Sequence, residues 1–151
     1  MAGNWPGWRG PSGDGISSEK DLPTRWSNTE NVAWRAEIAG EGHSSPIVWG
    51  DRVFLTTSLT EQNERRLLCL NRLDGEIRWE RLVLKSPPES IHRFNSRASG
   101  TPATDGERIY VTFMLAQGER FIAPNVGSDR MITRGRIVSA AFDFEGDLGW
   151  P

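Results

Sequence analysis

Cysteine occurs once in these 151 residues, at Cys69. A single thiol excludes an internal disulfide framework and a structural zinc site built on several thiolates, and it leaves the redox compartment open. Lysine is confined to Lys20 and Lys85; positive charge is otherwise arginine, dispersed among acids to a formal net charge of -2. No phosphate-tracking surface is indicated, so nucleic acid is not an expected partner. No apolar run approaches the roughly 18 residues of a membrane-spanning helix, and no charged-then-apolar leader follows Met1. Neither a membrane span nor a signal peptide is therefore expected in this chain. The two histidines, His43 and His92, have no HExxH spacing, and GxxxxGK does not occur. Both a zinc centre built from this chain and a phosphate-binding glycine loop drop out.

Glycine, proline and tryptophan are plentiful, at 16, 9 and 7 residues, a balance that suits an all-β chain better than a helical one. Through residues 1–30, glycines, prolines and Asx/Ser residues punctuate so densely that no period establishes itself. This reads as an arm ordered by contact. Its Trp5, Trp8 and Trp26 would be costly to leave in water, so the arm is expected to lie across an apolar surface. Regular structure is expected from residue 31. Val32–Ile38 alternates apolar and polar residues like a half-buried strand. Ser45–Trp49, the Gly50-Asp51 turn and Arg52–Thr57 make a hairpin signal. Arg65–Leu70, a turn over Asn71–Gly75, and Glu76–Leu84 complete a four-stranded antiparallel meander.

The same grammar returns further on. Thr101-Pro102 matches Ser45-Pro46, Asp105-Gly106 sits where Gly50-Asp51 sits, and Ile109–Thr112 matches Val53–Thr56. Ile137–Trp150 then matches Leu67–Trp79, with Glu145-Gly146 on Asp74-Gly75. Between these stretches the second copy carries an insert at about 116–135. A repeat with four strands per unit marks β-propeller blades, for which roughly 40 to 45 residues per blade is usual. The expected organisation is an arm over 1–30, blade 1 at about 44–84, and blade 2 at about 99–151. Closure takes roughly four to eight blades, so the chain is expected to be the first part of a larger protein.

Cys69–Trp79 (CLNRLDGEIRW) and Ala141–Trp150 (AFDFEGDLGW) resemble the tryptophan-docking motif of the PQQ-like (pyrroloquinoline quinone-type) β-propeller repeat, roughly Ala-x-Asp-x-x-x-Gly-x-x-x-Trp. The resemblance implies that Trp79 and Trp150 pack against a neighbouring blade while Gly75 and Gly146 allow the turn before the last strand. Trp34 looks like the same docking residue on a strand, 32–38, that completes the last blade. Asn71 departs from the preferred Asp, and the second copy is one residue shorter before Trp150. WPGWRGPSGDG, LPTRWS and GHSSPIVWGDRVFLTT are similar to bacterial PQQ-binding-like repeat proteins, which implies a periplasmic or secreted location. The role implied is a non-catalytic scaffold or binding module for a protein or carbohydrate, with the remaining blades or a second copy as further partners. The alternative is the structural start of a PQQ-dependent quinoprotein dehydrogenase whose active site lies outside this chain. Those enzymes add a vicinal disulfide, a calcium site and a catalytic aspartate, and a lone Cys69 supplies no adjacent pair. PQQ enters only in that alternative; no cofactor and no metal are expected here.

Gly42-His43-Ser44-Ser45-Pro46 falls short of the Gly-x-Ser-x-Gly elbow. Its last glycine is Pro46, and a hairpin strand follows where a helix is needed. Ser44 and Ser45 are expected to bond backbone groups at the start of an inner strand, and no catalytic residue is assigned. The lead-ins to the first strand of each blade crowd one rim of a propeller, where His43, Ser45, Asn95, Arg97 and Ser99 offer donors for a carboxylate, a sugar or a peptide. Asp14 lacks the acidic spacing of a calcium loop and reads as a turn. Glu61 with Glu64, and Asp143 with Glu145, fall on loops or turns where solvation is the expectation.

Overall fold

A computed structural model describes residues 3–87, 91–122 and 131–150. The strands form two four-stranded antiparallel sheets. The first takes β1 (Ile47–Trp49), β2 (Arg52–Leu59), β3 (Glu64–Asn71) and β4 (Ile77–Lys85), side by side in that order. The second repeats the order with β5 (Ala103–Thr104), β6 (Ile109–Ile122), β7 (Met131–Phe142) and β8 (Leu148–Trp150). The chain is all-β, and the two meanders are the two blades that the repeat implies.

Equivalence extends to the register. Cys69 pairs with Trp79 and Leu70 with Ile77, a bulge that skips one residue of β4. Ala141 pairs with Trp150 and Phe142 with Leu148, a bulge that skips one residue of β8 in the same place. Such a bulge bends the outer strand and strengthens its twist. The hairpins differ. Trp49 pairs with Arg52, leaving two residues in the first turn, whereas Thr104 pairs with Ile109, leaving four in the second.

Strands normally alternate inward and outward residues, yet β2 and β3 are apolar on both faces because both are covered. One face gives Ile47, Phe54, Leu67 and Cys69 to a core shared with Ile109, Val111, Phe113, Ala140 and Phe142 of the second sheet. The other face, with Val53, Leu68 and Leu70, is covered by Trp34, Ala36 and Ile38. Face-to-face packing of the blades thus makes the main core. On the far side of blade 2, Tyr110, Met114, Ile137 and Trp150 stand exposed.

Tryptophan docking fixes the blade spacing. Trp79 Nε1–H donates to the Phe144 carbonyl at 3.0 Å, and its ring lies on Gly146, where a Cβ would come within 3.0 Å of the indole. Trp34 repeats this on the first blade: Nε1–H donates to the Arg72 carbonyl at 2.8 Å and the ring covers Gly75. Both glycines have positive φ, 77° and 85°, so a side chain there would be strained as well as in collision. Arginines reinforce the second contact. Arg81 donates to the carbonyls of Gly146 at 2.7 Å and Glu145 at 3.1 Å, and its guanidinium lies 5.4 Å from the centroid of the Trp79 ring. Arg52 donates to the Phe144 carbonyl and pairs with Glu145 at 2.6 Å. Trp150 holds the equivalent position on the open face, 53% exposed.

The structure departs from expectation at residues 32–38, in the arm and at Glu64. Residues 32–38 form no strand: they alternate in burial as predicted but have no ladder partner among the described residues, and a strand exists only by pairing. Trp5 is half-buried, but Trp8 and Trp26 are 69% and 71% exposed; the arm turns at Gly7–Gly10 beside Trp8 and again at Ser27–Glu30 beside Trp26. The insert is largely a continuation of the blade 2 hairpin, since Arg120–Ile122 pairs with Met131–Thr133; residues 123–130 and Pro151 lie outside the described residues. Glu64, expected to be solvated, has a largely covered side chain, whereas Glu145 is exposed as expected while pairing with Arg52. Glu64 takes Arg66 at 2.6 Å, and that guanidinium holds its carboxyl below the usual range. Asp14 makes the expected turn, accepting from the Ile16 amide at 2.9 Å.

Candidate ligand-binding rim

The inner strands are short because each is preceded by a lead-in, 42–46 before β1 and 95–102 before β5. The first lead-in bonds to the second through its backbone amides. The amides of His43 and Ser44 both donate to the Ala98 carbonyl at 3.1 Å. His43 N–H also reaches Ser96 Oγ at 3.0 Å, and Ser45 N–H reaches Thr101 Oγ1 at 3.0 Å. Ser44 Oγ lies 3.2 Å from both the amide and the carbonyl of Thr56, while Thr56 Oγ1 donates to the Gly100 carbonyl at 3.1 Å. Gly42 is required by space, since a Cβ would lie 2.8 Å from the Thr56 carbonyl oxygen.

This network brings His43, Ser45, Arg97 and Ser99 together and places Asn95 at its margin. The Ser99 hydroxyl donates to the Ser96 carbonyl at 2.9 Å, so it braces its own turn. His43 contributes its amide, and the residue is exposed. Asn95 is also exposed, its amide donating to the His92 carbonyl at 2.8 Å. Arg97 pairs with Glu41 at 3.3 Å, with side chains 16% and 52% exposed.

Glu41 was not among the predicted site residues. It exchanges backbone bonds of 3.0 and 2.9 Å with Ser58, accepts from Thr60 Oγ1 at 3.3 Å, and stands at a cavity of about 210 Å³. Ile38, Ser44, Leu55 and Thr57 help to wall this cavity. The one sequence signal was its setting, an acid between Gly40 and Gly42. Ser96 and Thr101 were also missed, because their contribution is to hold other residues' amides.

Chemically, the rim offers a carboxylate beside a guanidinium, an exposed imidazole and an exposed carboxamide. That set can bind polar groups of either sign. Ser44 Oγ is engaged by Thr56, so no serine–histidine pair is formed here. Cys69 is wholly buried between the sheets with no second thiol in the sequence, and among the described residues no three of His, Cys, Asp and Glu converge. Burial pushes the Cys69 thiol up to about 11. No helix among the described residues is long and apolar enough to cross a membrane.

Over residues 16–139 the chain matches the PQQ_2 family, described as outer membrane protein assembly factor BamB. No curated protein matches it.

Proposed function

The chain belongs to the PQQ-repeat propeller family described by the outer membrane assembly factor BamB, and from that premise we propose that it is a non-catalytic binding scaffold of the cell envelope. The rim formed by His43, Asn95, Arg97 and Glu41 would receive a protein or carbohydrate partner. One observation carries this: the first lead-in is tied to the second through its own backbone amides, which donate to the Ala98 carbonyl and to the Ser96 and Thr101 hydroxyls, and this supports the reading that the exposed His43 and Asn95 side chains are presented on a pre-formed support. Pre-organisation of this kind lowers the ordering cost of binding. The open face of blade 2, with Tyr110, Met114, Ile137 and Trp150, would take a further blade or a second copy.

The test is a screen of the intact chain against an array of short peptides and an array of bacterial glycans, with the double variant H43A/R97A in parallel. Binding to one array that falls at least about tenfold in the variant, with an unchanged melting temperature, supports the rim. Binding that ignores the double substitution places the ligand elsewhere and overturns it.

A further inference from the structure

Among the described residues, Asn4, Trp5 and Pro6 of the N-terminal arm are hydrogen-bonded to the blades. Trp5 pairs antiparallel with Val48 of β1: Trp5 N–H donates to the Val48 carbonyl at 2.7 Å, and Val48 N–H donates to the Trp5 carbonyl at 2.9 Å. Asn4 Oδ1 accepts from the Gly50 amide at 2.8 Å. The Pro6 carbonyl accepts from the Thr104 amide of β5 at 2.8 Å. A tripeptide, Asn-Trp-Pro, therefore lies on the inner edge of blade 1 and bridges to the inner strand of blade 2.

β1 and β5 are edge strands in their sheets, and unpaired strand edges are templates for an extended chain. Three of the four bonds to the tripeptide use its main chain, and the fourth uses the Asn side chain. The Trp5 ring folds back over Gly10 of its own arm. Nearly all of residues 11–33 are exposed, so a long solvated tether separates the tripeptide from the part of the chain that packs on blade 1.

We propose that the inner edge formed by Val48, Gly50 and Thr104 is a docking groove for an extended Asn-x-Pro segment of a protein partner, and that Asn4–Pro6 occupies it in cis. The tether gives the cis copy a high effective concentration, so a partner binds only when that copy is released or weakened. The groove is separate from the rim proposed above and does not depend on it.

The experiment uses the intact chain and a fluorescein-labelled peptide of residues 3–10, followed by anisotropy. The variant is Asn4→Ala, an exposed residue whose side chain bonds only the Gly50 amide among the contacts described. The peptide is expected to bind the variant about tenfold more tightly than the wild type, because losing one hydrogen bond weakens the cis competitor. A peptide carrying Pro at the Trp5 position, which lacks the N–H that donates to the Val48 carbonyl, is expected to bind neither protein. Equal affinity for both proteins would show that the peptide lands elsewhere, and no binding to either would show that the groove takes no segment in trans; each result overturns the proposal. Hydrogen exchange on the unmodified chain gives a second reading that needs no variant. The Val48, Gly50 and Thr104 amides should open together and faster than the β2–β3 ladder. Exchange of those amides as slow as the ladder would make the arm a permanent strand, which also overturns the proposal.

Discussion

Trp79 and Trp150 are the same residue in two settings, which allows the docking contact to be measured by difference. Trp79→Ala removes an indole packed between blades and should cost about 3 kcal/mol in urea unfolding. Trp79→Phe keeps most of the packing but deletes the donor to the Phe144 carbonyl, at about 1 kcal/mol. Trp150→Ala should change stability by less than about 0.5 kcal/mol, as exposed substitutions generally do. Cys69 gives an independent check on the same core. With its thiol buried and pushed up to about 11, it should resist a thiol reagent at pH 8 in the native protein and react fully in denaturant. Rapid native labelling would mean that the blades separate. Asp105 accepts from the Tyr110 hydroxyl at 2.7 Å and from the amides of Glu107 and Arg108, which together hold its carboxyl down to about 2 against an ordinary 3.8. A depressed carboxyl stabilises the fold fully above pH 4, and that contribution fades as pH falls from 4 through 2. The melting temperature should therefore drop less steeply over this interval in Asp105→Asn than in the parent.

Among the structural elements, the Gly turns carry the blade spacing more than any strand does. Gly146→Ala must adopt positive φ and also displace the Trp79 ring, so it should destabilise by about 2 kcal/mol or more, measured by the same unfolding curve. The placement of these turns was legible in the sequence because the repeat brings Asp74-Gly75 and Glu145-Gly146 into register with the tryptophans that follow. The hairpins were legible for a similar reason: Gly50-Asp51 sits between two β-rich runs. Contacts made by backbone atoms left no such trace. Nothing in the letters Asn-Trp-Pro says that they pair with Val48, and nothing around Ala98 says that its carbonyl gathers two amides from the other lead-in. Residues 32–38 show the converse. Their alternation is real and their alternate residues are half-buried, but the alternation reports which side faces a sheet and cannot report whether a neighbouring strand is present to ladder with.

For the molecule as a whole, the open face of blade 2 is the dominant feature. Tyr110, Met114, Ile137 and Trp150 stand exposed on this face, with Met114 and Ile137 at the register positions that Ser58 and Arg65 hold on blade 1, and apolar surfaces of this kind promote association. The chain is expected to self-associate weakly with rising concentration, and Met114→Glu with Ile137→Glu should return it to a monomer by light scattering. A monomer at all concentrations in the parent would show that the face tolerates water. The weakness is itself a consequence of the tryptophan contacts. Each one runs one way, from an indole to the glycine turn of the blade that follows it in the chain, so the two sides of a blade are unlike, and a two-fold dimer would set donor against donor. The turn at Gly75 is already filled by Trp34. Between the two described blades the contact therefore has a direction, and a further unit would meet the exposed Trp150 indole only with a vacant glycine turn.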